Sequence, residues 1–346
     1  MKAVMKHARE YGGVGVFDID PPAAPAGDEV LVKIYSAALC GSDIHAYEYI
    51  DSYASFMNVP VVLGHEGSGV VTAVGENVTS FKVGDRVMGE SNIYCGTCRN
   101  CRVGSTHICD NNLMRGLTTP GVMREYVIWS EKNLHTVPEN LSFAEGAAAQ
   151  AVTVSVHGVL GRIRIQPGDF VLVEGLGIIG LAAAQLARAQ GARVLISGTD
   201  ADEESRMPVA RDMGFEVFNC QKEDVVEAVV SRFGTKADCV IECSGASPAF
   251  VSGLAATRKG GVMLFLGLPN KEVSFPFANA IRGEINCITS YTSSWEDYEK
   301  TLALLSSGAL SIAPLLSMYA VEDAVKAFED AVNKVAVKPV LEFVKE

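Results

Sequence analysis

The pattern of apolar and polar positions changes near residue 167. Before about residue 141, short strand-like stretches such as residues 29–35, 69–75 and 84–88 are separated by glycine and proline. Short runs rich in β-branched residues and bounded by turn-forming residues are typical of strands joined by loops. This part of the chain is therefore predicted to be an irregular, β-rich domain.

Beyond residue 167 the pattern becomes regular. Short apolar segments alternate with amphipathic segments long enough for helices, and such alternation predicts a parallel sheet with helices on both faces. The predicted strands lie near residues 170–174, 193–197, 216–219, 239–242, 262–266 and 285–290. The tail from residue 295 is predicted to form a helix, a second helix and a strand that pack on the first domain.

A chain of 346 residues is longer than a domain with a single hydrophobic core usually is. Two domains are therefore expected, one interrupted by the other. The predicted bounds are 1–155 with 291–346 for the β-rich domain, and 156–290 for the parallel-sheet domain. Apolar residues make up 48% of the chain and charged residues 20%, which is typical of a globular protein.

Charge and hydropathy exclude several partners. The formal charge is -12, from 29 basic and 41 acidic residues, and no basic cluster suits a nucleic-acid backbone. The most hydrophobic stretch is interrupted by Glu174, Gln185 and Arg188, so no membrane span is predicted. The N-terminus lacks the apolar core of a signal peptide, and a cytoplasmic protein is expected.

Four of the nine cysteines crowd into one short segment, which favours metal binding over disulfides. Cys95, Cys98, Cys101 and Cys109 are separated by two, two and seven residues. Four thiolates at these intervals can close a tetrahedron around Zn²⁺, which predicts a structural zinc site. An iron–sulfur cluster is the competing use of such cysteines.

A second metal site is predicted from two short blocks, one around Cys40 and one around His65. Cys40, His65 and Glu66 offer one sulfur, one imidazole nitrogen and one carboxylate. Three ligands of these types leave a fourth zinc position open for water or substrate, as in catalytic sites.

The block from Gly64 through His65 and Glu66 to Gly69, followed by Gly75 and Val78, resembles the zinc signature of the medium-chain alcohol dehydrogenases. The resemblance covers essentially the whole chain. It is strongest, from Cys40 to Gly69, to the sorbitol and threonine dehydrogenases. The resemblance implies an α/β fold with a GroES-like, β-rich catalytic domain and a Rossmann domain with a doubly wound parallel sheet.

The resemblance also implies roles for individual residues. Cys40 and His65 would hold the catalytic zinc, with Glu66 bound or nearby. Ser42 and His45 match positions that relay the released proton through the cofactor ribose; a helix cap and a surface histidine are the alternatives. Sorbitol dehydrogenases carry a glutamate where this chain has Gln150, so a neutral amide is expected beside the metal.

A glycine-rich turn predicts the cofactor site. A Gly-x-Gly-x-x-Gly pattern stands between a predicted strand and a predicted helix, where backbone N–H groups can approach a pyrophosphate. Segments after the second, fourth and fifth strands also reach the carboxyl edge of the sheet, where such folds bind ligands. The predicted cofactor-binding residues are Gly175, Gly177, Ile178, Ile179, Gly180, Thr199, Asp200, Ser244, Gly267 and Leu268.

The preference between NAD and NADP depends on the end of the second strand. An acidic residue there binds the ribose hydroxyls of NAD, and Gly198 stands nearest the usual position, with Asp200 just after. The pair Gly198 and Thr199 resembles the residues that NADP-preferring relatives carry at this position. The acidic run that begins at Asp200, however, would repel a 2′-phosphate. NAD is expected to bind better than NADP.

The predicted function is zinc-dependent hydride transfer between a secondary alcohol of a polyol, sugar or sugar derivative and NAD(P), giving a ketone. Two zinc ions per chain and a homodimer or homotetramer are expected. One alternative is a dehydrogenase of threonine or another amino or hydroxy acid, in which Arg124 could meet a carboxylate or phosphate. Another is a zinc-containing binding or structural protein without catalysis.

Overall fold

The computed structural model describes residues 1–345, which form strands and helices throughout. In chain order the strands are β1 Lys2–Lys6, β2 Val14–Asp18, β3 Glu29–Ala38, β4 Val61–Val62, β5 Glu66–Val74, β6 Arg86–Gly89, β7 Asn92–Ile93, β8 Leu113–Met114, β9 Tyr126–Ser130, β10 Leu134–Thr136, β11 Phe170–Glu174, β12 Arg193–Gly198, β13 Glu216–Asn219, β14 Ala237–Glu242, β15 Thr257–Phe265, β16 Asn286–Thr289, β17 Leu316–Ala320 and β18 Lys338–Glu342. The α-helices are α1 Gly41–Glu48, α2 Asp51–Ala54, α3 Arg99–Arg102, α4 Phe143–Val156, α5 Ile178–Ala189, α6 Arg206–Asp212, α7 Val225–Phe233, α8 Ser247–Ala256, α9 Phe277–Gly283, α10 Trp295–Ser306 and α11 Ala324–Val332.

The chain divides into two compact units. Unit 1 comprises Met1–Ala151, Ser294–Ser307 and Leu316–Glu346, and unit 2 comprises Val152–Ser293 and Gly308–Leu315. The segment Gly308–Leu315 thus belongs to the parallel-sheet unit, whereas the sequence analysis assigned it to the β-rich domain. Its anchor is Ser311, whose N–H donates to Gln185 Oε1 at 2.9 Å and whose carbonyl accepts from Gln185 Nε2 at 3.0 Å.

Unit 1 is built on a largely antiparallel sheet in which the strand order is β10-β6-β5-β3-β18-β17. The ten-residue β3 pairs with β5 along one side, and with β9 and then β18 along the other. Its buried positions alternate, which places Val30, Val32 and Ile34 in the core beside Trp129 and Phe328. The first domain is therefore β-rich, as the sequence predicts.

The tail completes the sheet of unit 1. α10, α11 and β18 match the predicted helix, helix and strand, and β18 pairs antiparallel with β3. The sequence analysis was wrong to omit β17, which pairs in parallel with β18. β17 has no fully buried residue, so its order comes from pairing at the sheet edge rather than from its own apolar pattern.

Unit 2 contains a six-stranded parallel sheet, and all six predicted strands are present. The strand order is β13-β12-β11-β14-β15-β16, so the order reverses between β11 and β14. Val171, Leu172 and Val173 are all fully buried, because both faces of β11 are covered. The predicted α/β fold class, a GroES-like domain with a Rossmann-like parallel sheet, is confirmed. None of the helices in residues 1–345 is long and apolar enough to cross a bilayer.

Candidate functional site

The residues of the predicted catalytic metal site meet in unit 1. Cys40 is the N-cap of α1, His65 directly precedes β5, and Glu66 begins β5. The pairing of β3 with β5 places Glu66 opposite Ala38, shortly before Cys40. One ligand atom from each of Cys40, His65 and Glu66 lies within 4.8 Å of the other two. The sulfur, nitrogen and oxygen donors therefore converge on one point.

Asp43 fixes the backbone on both sides of this cluster, and the sequence analysis did not single it out. Its side chain is fully buried, and its Oδ2 accepts from the Cys40 N–H at 2.9 Å. Its Oδ1 accepts from the Gly64 N–H at 3.1 Å, directly before His65. The three-residue spacing of a capping box was the signal that could have identified Asp43.

The electrostatic surroundings of His65 favour a cation. Burial lowers the pKa of His65, but the charge and hydrogen bond of Cys40, together with Asp43 and Glu66, raise it to about 9. The same negative groups that hold a proton on the imidazole favour a divalent metal in its place. The donor set and its charge therefore fit a zinc ion.

Glu66 has a partner of opposite charge that comes from the far end of the chain. Lys338 in β18 places its Nζ 2.5 Å from Glu66 Oε2. Glu66 Oε1 is buried and has no hydrogen-bond partner within residues 1–345. One carboxylate oxygen is thus held by lysine, and the other remains as a possible metal ligand.

The two residues expected to relay a proton both lie on α1. Because Cys40 is the N-cap, Ser42 does not cap the helix, and its buried hydroxyl has no partner within the described residues. His45 Nδ1 lies 3.4 Å from Glu48 Oε2, and its ring packs against Tyr53 at 5.3 Å. Ser42 therefore has a hydroxyl available for a ligand, and His45 is oriented by its neighbours.

Gln150 belongs to a buried polar network in unit 1. Its Nε2 donates to the Ser91 hydroxyl at 3.1 Å, and the Ser91 N–H donates to Tyr298 Oη at 3.4 Å. Burial, followed by the charge of Glu90, raises the pKa of Tyr298 to about 12. Ser91 and Tyr298 were not predicted, because residues so distant in sequence carry no shared motif.

The four cysteines of the second predicted metal site also converge. Their sulfur atoms lie within 4.8 Å of one another, and none of the nine cysteines forms a disulfide. Backbone N–H groups of Cys98 and Cys101 donate to the sulfurs of Cys95 and Cys98 at 3.3 and 3.5 Å. Hydrogen bonds, first from the Thr97 side chain, lower the pKa of Cys95 to about 5. The loop therefore favours the thiolate, the form that binds zinc, at Cys95, whereas burial raises the pKa of Cys101 to about 12.

The glycine-rich turn of unit 2 joins β11 to α5, as predicted. Gly175 has a φ of +115°, and a Cβ on Gly180 would lie 2.0 Å from the Gly175 carbonyl oxygen, so both positions require glycine. Gly177 is the N-cap of α5, and a Cβ there would meet no atom within 4 Å. Ile178 and Ile179 form the first helical turn. This open helix N-terminus fits a pyrophosphate.

Segments after β12, β14 and β15 lie at the same edge of the sheet. Ser244 packs against Gly175, and Gly267 and Leu268 approach Gly245. Thr199 donates to Asp202, while Asp200 accepts from Asn219 Nδ2 at 2.6 Å and lies 3.9 Å from Lys222 Nζ. The acidic run after Gly198 is therefore partly engaged by Asn219 and Lys222, which sequence analysis did not identify.

Fold and sites together define a metal-containing, dinucleotide-dependent dehydrogenase, and comparisons with known proteins agree. The profile described as an alcohol dehydrogenase GroES-like domain matches residues 26–139, and that of a zinc-binding dehydrogenase matches residues 179–307. L-threonine 3-dehydrogenase from Escherichia coli (strain K12) is 35% identical over 334 residues, which cover 95% of this chain and 96% of the relative.

Solved structures resemble the whole chain. Galactitol-1-phosphate dehydrogenase from Escherichia coli superposes with a TM-score of 0.87 at 26% identity, covering 99% of this chain and 100% of that one. The NADP-bound crystal structure of a protein from Sinorhizobium meliloti 1021 superposes with a TM-score of 0.89 at 28% identity, covering 99% of this chain and 98% of that one.

The chain belongs to the medium-chain zinc-dependent alcohol dehydrogenases, in the branch of the polyol and threonine dehydrogenases. The resemblance found in the sequence is thereby confirmed. The protein is an oxidoreductase that acts on CH–OH groups with NAD(P), so the alternative of a zinc protein without catalysis is set aside.

Proposed function

We propose that this enzyme oxidises a secondary alcohol of a polyol, sugar or sugar derivative to a ketone with NAD(P), and also catalyses the reverse reduction. The observation that carries the proposal is the convergence of Cys40, His65 and Glu66 in unit 1, within 4.8 Å. A site of three such ligands leaves room for a substrate hydroxyl. Structural similarity to galactitol-1-phosphate dehydrogenase supports a polyol-like substrate.

The residues of this site have distinct tasks. Cys40 and His65 would hold the zinc, and Glu66 would bind it through Oε1 while Lys338 holds Oε2. When bound, zinc acts as a Lewis acid that lowers the pKa of a hydroxyl on it. Asp43 keeps Cys40 and the backbone before His65 in place.

Ser42 and His45 would carry the proton away. The Ser42 hydroxyl is buried without a partner in the described residues, so it can accept a hydrogen bond from the substrate. His45, restrained by Glu48, would pass the proton outward. Gln150 would present a neutral amide where a carboxylate would oppose ionisation of the substrate hydroxyl.

The cofactor would bind to unit 2 through the turn from Gly175 to Gly180 and the segments at Ser244, Gly267 and Leu268. Bound NAD(P) supplies the hydride acceptor. NAD is the preferred form because Asp200, exposed after β12, would repel a 2′-phosphate. A similar structure from Sinorhizobium meliloti 1021 is bound to NADP, so titration with both cofactors tests this preference directly.

Oxidation of threonine or another hydroxy acid is the second candidate. Its support is the 35% identity to L-threonine 3-dehydrogenase over nearly the full length of both chains. A homodimer or homotetramer remains a prediction, which light scattering of the zinc-loaded protein would test.

The substrate class is tested with a panel that contains neutral polyols, sugar phosphates and L-threonine, each assayed with NAD and NADP. The proposal predicts the highest kcat/KM for a polyol or sugar derivative. A highest value for L-threonine would replace the first candidate with the second. No turnover of any secondary alcohol by protein with two zinc ions per chain would contradict both.

A further inference from the structure

Two partly buried arginines of unit 1 lack an acidic partner. Arg115 follows β8, and Arg124 precedes β9. The Nε atoms of both are buried and have no hydrogen-bond partner within residues 1–345. Neither guanidinium forms an ion pair with a carboxylate of the described chain. Two partly buried positive charges thus lie in this segment without a carboxylate partner.

The Arg115 side chain is held in place. Its Nη2 donates to the carbonyl of Ile128 at 3.0 Å, and its guanidinium lies 5.1 Å from the centroid of the Trp129 ring. The Arg124 side chain forms no hydrogen bond within residues 1–345. The guanidinium of Arg115 is therefore fixed in position, and every side-chain N–H group of Arg124 is available to a ligand.

Charge and burial mark the pair as unusual for this protein. Acidic residues outnumber basic ones by 41 to 29, and three other arginines form ion pairs with carboxylates: Arg206 with Asp202 at 3.5 Å, Arg232 with Glu216 at 3.0 Å, and Arg258 with Asp238 at 2.6 Å. Burial and the charge of Arg124 lower the pKa of Arg115 to about 10, and burial lowers the pKa of Arg124. A bound anion would offset this repulsion.

The loop between the two arginines folds over the segment that leads to His65. The N–H groups of Gly121 and Val122 donate to the carbonyls of Val62 and Gly64 at 2.8 and 2.9 Å. Thr119, in the same loop, pairs with Arg115 in an isolated β-bridge. Its buried hydroxyl also has no partner within the described residues. A third donor without a partner thus lies in the same loop.

We propose that Arg115 and Arg124, together with the Thr119 hydroxyl, bind an oxyanion, namely a carboxylate or a phosphate group. Planar guanidinium groups match these anions through paired N–H donors. The anion is either an acidic group of the substrate or free inorganic phosphate. The first source rests on the proposed function; binding of the oxyanion itself does not.

Calorimetric titration of the zinc-loaded enzyme with inorganic phosphate, and separately with acetate, tests the site directly. The wild-type protein should bind at least one of them, and Arg124→Gln should weaken binding at least tenfold. Arg124→Lys should retain part of the affinity. Arg232→Gln, which removes the same charge from a paired arginine of unit 2, should have no effect. Equal affinity of wild type and Arg124→Gln, or no binding by the wild type, would overturn the proposal.

Thermal unfolding separates a binding role from a structural one. In buffer without oxyanions, Arg124→Gln should melt at the same temperature as the wild type or higher, because the repulsion with Arg115 is relieved. Added phosphate should raise the Tm of the wild type only. A lower Tm of Arg124→Gln in oxyanion-free buffer would contradict the proposal.

Inhibition kinetics identify the source of the oxyanion. Phosphate that competes with the alcohol substrate would assign the site to an acidic group of that substrate. Phosphate that binds without competing would assign it to free phosphate. Because phosphate binding needs no turnover, failure of the proposed function would leave the titration result intact.

Discussion

Lys338 Nζ lies 2.5 Å from Glu66 Oε2, and the two side chains are 3% and 0% exposed. Lys338 Nζ also donates to the carbonyl of Leu39 at 2.8 Å, directly before Cys40. One buried cation thus contacts both segments that carry the metal ligands. Because Lys338 contacts Oε2, Oε1 is the oxygen of Glu66 that can bind a metal.

Removal of this cation should destabilise unit 1 strongly. Lys338→Met leaves Glu66 as an uncompensated buried charge, and breaking such pairs costs about 3–5 kcal/mol. Urea unfolding should therefore give a lower free energy of unfolding for Lys338→Met, partly restored when Glu66→Gln is added. Lys326→Met removes the exposed partner of Asp330 and should cost at most ~1 kcal/mol. An equal decrease in the free energy of unfolding of the two variants would mean that the buried ion pair contributes no more to stability than the exposed one.

The neutral amide of Gln150 should influence the acidity of the substrate hydroxyl. Gln150→Glu places a carboxylate in the network with Ser91, where it would cancel part of the field that stabilises an alkoxide. The alkaline rise of kcat/KM for alcohol oxidation should therefore move to higher pH, with zinc content unchanged. The exposed substitution Gln166→Glu adds the same charge elsewhere and should leave the profile in place. A shift to lower pH, or a large loss of zinc, would refute this role.

Glu174 should make the stability of unit 2 depend on pH. Burial raises the pKa of Glu174 to about 8, because desolvation disfavours its charged form. The folded state then binds a proton that the unfolded state has released. The free energy of unfolding should therefore fall as pH rises from the ordinary carboxyl range through about 8.

Glu174→Gln should reduce this dependence, with a remainder from Glu242, whose pKa burial also raises, while the exposed substitution Glu272→Gln should not alter it. Chemical denaturation at a series of pH values measures the slope. A wild-type slope that survives in Glu174→Gln would place the responsible group elsewhere.

The strands that could be predicted from the sequence are those whose own residues are buried. The strands of unit 2 were found because residues such as Val171 to Val173 are apolar without interruption, which is the signature of a strand covered on both faces. β17 was missed because an edge strand with no fully buried residue depends on its partner β18.

The residues of the candidate sites could be predicted only where their spacing along the sequence is typical of a metal or cofactor site. Cys95, Cys98, Cys101 and Cys109 lie close in sequence and close in space. Lys338 and Glu66 meet only because β18 returns to pair with β3, and no local pattern records that contact. Lys338, directly before the apolar run from Pro339 to Leu341, was the one signal available.

Cofactor preference should follow the charge after β12. Asp200 accepts from Asn219 and stays exposed, so it should bind ribose hydroxyls and repel a 2′-phosphate. Titration followed by cofactor fluorescence should give NADH at least tenfold tighter binding than NADPH, about 1.4 kcal/mol. Asp200→Asn should narrow the gap, while the distant Asp224→Asn should not. NADPH binding tenfold tighter than NADH would reverse the assignment.

The zinc content of freshly purified protein, measured by elemental analysis beside the activity, tests the central claim most directly. Two clusters complete in donors predict about two zinc ions per chain in the wild type, and about one in each of Cys40→Ser and Cys98→Ser. Cys40→Ser should lose alcohol oxidation while keeping its thermal stability. Cys98→Ser should chiefly lose stability, since a structural zinc contributes folding energy. One zinc ion or none in the wild type, or full activity of Cys40→Ser, would contradict the account.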